Sequence, residues 1–252
     1  MKTTDLMIKH GNWFFRYRSF LPIVLIVLAM VSIWIKRDIY YYENIWFDLC
    51  CLIIAISGEV IRILAVGYAA DRTSGRNTKQ QVADEINQTG IYSILRHPLY
   101  LGNFFMWLGI ALYTRIGWLV LIFIAIYILY YERIILAEEN FLESKFGTAF
   151  MEYANKVNAI IPSFKSYLPN KFFFRIKKVI RQENSSLYGV FVVFIVLEIA
   201  QDLVSAGKIN LELHWKVIGI SFTLLFFILL GLKKHTRFLH GDNQRQKVLT
   251  TE

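Results

Sequence analysis

The sequence predicts an all-α integral membrane protein with about six membrane segments, two of them a short helical hairpin, and a site on the cytoplasmic side. Three observations support this. The 252 residues are 56% hydrophobic and only 19% charged, whereas soluble domains carry about 45–50% apolar and about 25% charged residues. The apolar excess is gathered in long runs, of which Leu21–Ile35 contains no charge at all. Basic residues fall almost entirely on alternate connections, as the positive-inside rule requires of a multi-pass chain. A water-soluble globule of this length could not hide several such runs, which excludes disorder and ordinary cytosolic folds.

A spanning helix needs about 20 mostly apolar residues. Six runs qualify or come close: 20–35, 45–70, 99–114, 116–131, 187–204 and 214–232. The third and fourth are short and separated only by 113–117, so they read as a tight helical hairpin. From 131 to 157 the pattern is an amphipathic helix leaving the fourth run, interrupted at Gly147. The 171–181 segment (KFFFRIKKVIR) interleaves aromatics with cations and reads as an interfacial amphipathic helix. The first apolar run lacks a small-residue cleavage site after it, so no cleavable signal peptide is expected.

Counting Lys and Arg gives twenty-two on the N-terminal segment, the 71–97 loop, the 132–186 stretch and the tail, against four on the alternate loops. Both termini are therefore expected in the cytoplasm, and the net charge of +9 is a topology signal with contact to anionic head groups. No nucleic-acid partner is expected. Cys50 and Cys51 are adjacent in an apolar run, which suits neither a disulfide nor a thiolate metal site. No metal site is expected, because the five histidines show no ligand spacing. The absence of GxGxxG after a strand, of GxxxxGK[ST] and of HExxH leaves a soluble dinucleotide fold, a P-loop motor and a zinc protease unsupported.

Three groups of residues could carry chemistry. The first is Gly90-Ile-Tyr92-Ser-Ile-Leu-Arg96-His97-Pro98-Leu-Tyr100-Leu-Gly102, where the 71–98 loop re-enters the membrane. Pro98 suits a first helical turn, and Arg96 and His97 stand where free amides and the helix dipole favour an anion. Gly102 gives room for close approach. The second group is Glu138 and Glu139, with Glu143, Lys145, Gly147, Tyr153, Lys156 and Pro162 following. Neighbouring glutamates point about 100° apart on a helix, so one of the two is expected to dominate any single contact. The third is Glu59 and Arg62, three apart inside an apolar run. Ionisable groups there pair or line a cavity, and a structural pair and a substrate-facing pair are both open.

The first two groups, in this order and with Ile161-Pro162 closing the second, resemble the membrane methyltransferases typified by isoprenylcysteine carboxyl methyltransferase and the phospholipid N-methyltransferases. The resemblance covers roughly 55–165. It implies that the two motif regions meet on the cytoplasmic side and bind S-adenosylmethionine. It places Tyr92, Arg96, His97, Tyr100, Gly102, Glu138 and Glu139 around that cofactor. It puts Arg62, Glu139 and Lys156 with the reacting groups, and implies a lipid or lipid-linked acceptor ending in a carboxylate, phosphate or amine. The 78–88 stretch takes the place of the family's cofactor-adjacent loop. Four regions follow: an N-terminal segment and first span (1–44), a methyltransferase-like core (45–165), a basic connector (166–186), and an additional two-span hairpin with its tail (187–252). A membrane reductase of the sterol-reductase type, using NADPH, and a non-enzymatic scaffold or transporter are the competing readings. No motif favours the reductase, and the two halves lack a transporter's symmetry.

Overall fold

The computed structural model describes residues 3–36, 44–71, 73 and 81–235. Eight α-helices and two short 3-10 turns make up the regular structure among them. They are α1 (Thr3–Tyr17), α2 (Leu21–Ile35), α3 (Ile45–Tyr68), α4 (Pro98–Tyr113), α5 (Gly117–Phe146), α6 (Thr148–Lys156), α7 (Ile176–Ala206) and α8 (Leu213–His235). The protein is a multispan helical membrane protein. Four helices (α3, α5, α7, α8) are long and apolar enough to cross a bilayer, and α1 with α2, bent by 79° at their junction, is a fifth span at most. The hairpin is asymmetric: α4 has 16 residues and α5 has 30, so α4 falls short of a full crossing and α5 runs past one.

Local chemistry explains the boundaries. Asn44 caps α3, its side chain accepting from the amides of Trp46 and Phe47 at 3.1 and 3.2 Å. Pro98 occupies the first position of α4. Gly147 takes a positive φ of 56°, open to a residue without Cβ, and there the chain turns from α5 into α6, the break expected from the sequence.

Helices α3 and α4 form the closest pair. A Cβ on Gly102 would lie 2.6 Å from Arg62 Cγ and 2.7 Å from Gly58 O, and one on Gly58 would strike the Gly102 carbonyl. Around this crossing, Ile33, Cys51, Ala55, Met106, Tyr113, Phe194, Leu197 and Trp215 build one buried cluster joining α2, α3, α4, α7 and α8. A second, with Phe15, Tyr100, Phe123, Tyr127, Tyr131 and Ile134, joins α1, α4 and α5. Helix α8 is otherwise peripheral, with 6% of its apolar window buried.

Two expectations need correction. Residues 3–17, read only as a basic N-terminal segment, form α1, which lies on α5 with Gly11 against the backbone of Arg133. The 171–181 run is not a separate interfacial helix. Helix α7 begins at Ile176 and continues into the fifth apolar run. Arg175 and Lys178 turn inward, 6% and 2% exposed, because backbone carbonyls at the end of α3 need donors. Arg175 Nη2 and Lys178 Nζ both donate to Ala69 O, at 3.0 and 2.9 Å. Arg37, Arg72, Arg76, 78–80 and the tail beyond His235, where much of the charge count falls, lie outside the described residues.

Candidate active site

The end of α3, the start of α4, the second half of α5 and the start of α7 converge on one end of the helical array. The segment after α6 closes that end by pairing with the 89–97 segment. Arg96 N donates to Asn158 O at 2.9 Å, His97 N to Ala159 O at 3.0 Å, Ser163 N to Ile94 O at 3.0 Å and Gly90 N to Leu168 O at 2.8 Å. Tyr153 OH donates to Tyr92 O at 2.7 Å. These bonds satisfy a stretch of backbone without regular structure and fix the entrance to α4.

Charged side chains interlock beneath this seam. Arg96 donates through Nε to Glu139 Oε1 at 2.8 Å, with Nη2 in ion-pair contact with the same oxygen at 2.7 Å, and through Nη1 to the carbonyls of Ala154 and Val157. His97 is 8% exposed and lies between both glutamates, with Nε2 2.9 Å from Glu139 Oε1 and Nδ1 3.5 Å from Glu138 Oε2. Burial pulls its pKa down, but hydrogen bonds to Glu138 and Glu139 and their charges outweigh that and hold it above the ordinary 6.5. Glu138 and Glu139 do diverge by about 100°, yet the imidazole has a nitrogen on each side and receives both.

A cavity of about 660 Å³ opens beside this cluster, within the range of small-molecule sites, about 300–1,000 Å³. Among the residues named from the sequence, Arg62, Tyr92, Arg96, His97, Tyr100 and Glu138 line it. Glu139, Gly102 and Lys156 do not. Glu139 is turned to Arg96 and His97, Gly102 is used in the α3–α4 crossing, and Lys156 is exposed at the end of α6. One flank of the cavity is aromatic and apolar, with Tyr92, Phe141, Leu142, Phe150 and Tyr153. Burial raises the pKa of the Tyr92 and Tyr153 phenols, keeping them neutral. The other flank carries Arg62, Asn103, Lys178 and Glu183.

With this arrangement in view, residues 51–149 match the family model of the phospholipid methyltransferases. The chain is 27% identical to a protein-S-isoprenylcysteine O-methyltransferase of Tribolium castaneum over 56% of its own length and 52% of that protein's. It is 34% identical to one from Saccharomyces cerevisiae over 44% and 47% respectively. A nickel-cobalt-cadmium resistance protein of Alcaligenes xylosoxydans xylosoxydans is 27% identical over 54% of this chain and 62% of that protein. The chain thus spans about half the length of the isoprenylcysteine O-methyltransferases it matches. No solved structure matches.

The matched segment supplies Arg62, both motif regions and the glutamates. Other parts of the cavity wall come from outside it. Helix α7 contributes Lys178, Arg181, Gln182 and Glu183, and the α1–α2 junction contributes Phe15 and Arg18. Sequence reasoning missed Asn103 and Glu183. Asn103 was legible as a lone amide in an apolar helix next to Gly102. Glu183 precedes a long apolar stretch of α7, where a carboxylate is costly without a partner. Its partner Arg62 is 121 residues away, beyond any periodicity argument.

Proposed function

We propose that the protein transfers a methyl group from S-adenosylmethionine to a lipid or lipid-linked acceptor at the cytoplasmic membrane face, with both termini cytoplasmic. The observation that carries this reading is the shared cavity. Both motif regions of a phospholipid methyltransferase segment border one space, with a carboxylate, an aromatic flank and a charged flank. The positive-inside count supports a cytoplasmic position for that end, on the side where this cofactor is found.

The residues present fit the cofactor. Its carboxylate, ammonium and sulfonium groups, with an adenine ring, call for a cation or amide donors, an acid and aromatic contacts. Glu138, the one of the two adjacent glutamates that borders the cavity, would hold the ammonium. Tyr92, Tyr100, Phe150 and Tyr153 would enclose the apolar parts. Once bound, the cofactor supplies an electrophilic methyl group on a sulfonium.

The chain's own task is then positioning, the main demand of an in-line displacement. His97 has one ring nitrogen beside each of two carboxylates, which favours its charged form. Glu139 and Arg96 hold His97 and the α4 entrance in place. An acceptor that is already an oxyanion needs no base; an amine would have to lose its proton to a carboxylate bordering the cavity. Arg62 and Asn103, on α3 and α4, would border the acceptor.

Calorimetric titration of the purified protein in detergent tests this reading. S-adenosylmethionine is expected to bind with 1:1 stoichiometry and NADPH not at all. Binding of NADPH without S-adenosylmethionine would replace the reading with a reductase.

A further inference from the structure

Helices α3 and α7 face each other through two matched pairs of polar residues. Glu59 and Arg62 lie one turn apart on α3, and Glu183 and Ser186 lie one turn apart on α7. Arg62 donates from Nε and Nη2 to Glu183 Oε2 at 2.9 and 2.7 Å, and Ser186 Oγ donates to Glu59 Oε2 at 3.1 Å. From the α4 side, Asn103 Oδ1 accepts from Arg62 Nη1 at 2.6 Å. We propose that Glu183 is a positioning residue for methyl transfer. It fixes the Arg62 guanidinium in the cavity wall so that its remaining N–H groups meet an oxygen of the acceptor's head group. The proposal rests on the methyl-transfer reading and adds α7, outside the matched segment, to the machinery.

Three features point this way. A buried ion pair is a poor way to gain stability, since apolar side chains of similar volume do as well or better; an ionisable group inside an apolar span, as Arg62 is, marks a substrate path by default. This pair is not sealed between helices, because both Arg62 and Glu183 border the cavity. A guanidinium has five N–H donors, and the bonds to Glu183 and Asn103 engage three of them. The other two belong to nitrogens already held in place from two sides. Orientation of this kind lowers the entropic cost of seating an acceptor and does nothing for the cofactor at the other flank.

Steady-state transfer in mixed micelles separates the roles, with radiolabelled S-adenosylmethionine as donor and the total membrane lipid of the producing cells as acceptor. Glu183→Gln keeps the shape and removes the charge. It is expected to raise the apparent acceptor KM by about tenfold while the calorimetric Kd of S-adenosylmethionine changes by less than about twofold. Asn103→Ala, which releases the guanidinium from the other side, is expected to act in the same direction. Glu183→Asp is expected to recover most of the loss. Glu198→Gln, about four turns along α7 and bonded to Tyr113, serves as the control and is expected to leave the acceptor KM unchanged. An unchanged acceptor KM in both Glu183→Gln and Asn103→Ala would overturn the positioning role, and so would an equal loss of cofactor affinity. Failure of the wild-type protein to label any lipid would instead overturn the methyl-transfer reading itself.

Discussion

Arg96 and Glu139 meet at a single carboxylate oxygen, through a hydrogen bond from Nε at 2.8 Å and an ion-pair contact from Nη2 at 2.7 Å, across 43 residues of chain. The contact ties the entrance of α4 to the far half of α5. Since Arg96 also donates to the carbonyls of Ala154 and Val157, it ties both to the end of α6. The neighbouring Glu138 is left facing the cavity. In the proposed reading the adjacent glutamates divide their tasks, Glu139 holding Arg96 and His97 and Glu138 reaching toward the cofactor as well as His97.

Substitution separates those tasks. Glu139→Gln loses a charged hydrogen-bond partner, which costs about 1–3 kcal/mol, and is expected to lower the unfolding midpoint in detergent. Glu138→Gln, which loses a longer contact to His97 and none to Arg96, is expected to lower that midpoint less and to weaken S-adenosylmethionine binding by about tenfold or more, the loss of a charge-assisted contact. Calorimetry paired with thermal unfolding reads both.

Arg96 should not be replaceable by lysine. An ammonium can satisfy the Ala154 and Val157 carbonyls or Glu139, but it lacks the planar fork that reaches all of them. Arg96→Lys is expected to destabilise the fold by about 1–3 kcal/mol, read as a lower unfolding midpoint with unchanged helicity by circular dichroism.

His97 makes the cluster sensitive to pH. Its folded pKa is raised above 6.5, so its contribution to stability is present in full below about 6.5 and is lost as pH rises through the folded value. The unfolding midpoint is expected to fall across that interval on the alkaline side. His97→Gln is expected to flatten this dependence. A wild-type midpoint that rises with pH over the same interval would show that His97 is neutral in the folded protein.

Gly102 acts through packing. A Cβ there would press on Arg62 Cγ and Gly58 O at 2.6 and 2.7 Å, so Gly102→Ala must spread α3 from α4, an overpacking cost of about 1–3 kcal/mol. Because Arg62 moves with α3, acceptor use is expected to suffer more than cofactor binding.

These relationships were unevenly legible in the sequence. The apolar runs placed α2 through α5 and the paired α7 and α8, since period and length survive without tertiary context. Gly147 marked the break after α5 because few other residues accept its backbone angle. Helix α1 escaped notice because its polar and apolar residues balance and its helicity depends on α5 beneath it. In the site, Arg96, His97 and Glu138 came from local motifs. Glu183 did not, since its meaning depends on Arg62 across 121 residues. The buried Arg175 and Lys178 misled for the same reason: cations among aromatics look interfacial until the carbonyls of Ala69 and Ala70 are seen to accept from them.

The central claim is methyl transfer in the cavity bordered by His97 and Glu138. Its most direct test is the incubation of purified protein with methyl-labelled S-adenosylmethionine and total membrane lipid, followed by extraction. Label in the lipid fraction from the wild-type protein, and none above background from a His97→Ala, Glu138→Ala double variant that still folds, is the predicted result. Equal labelling by the two proteins, or none by either across broad lipid mixtures, would contradict it.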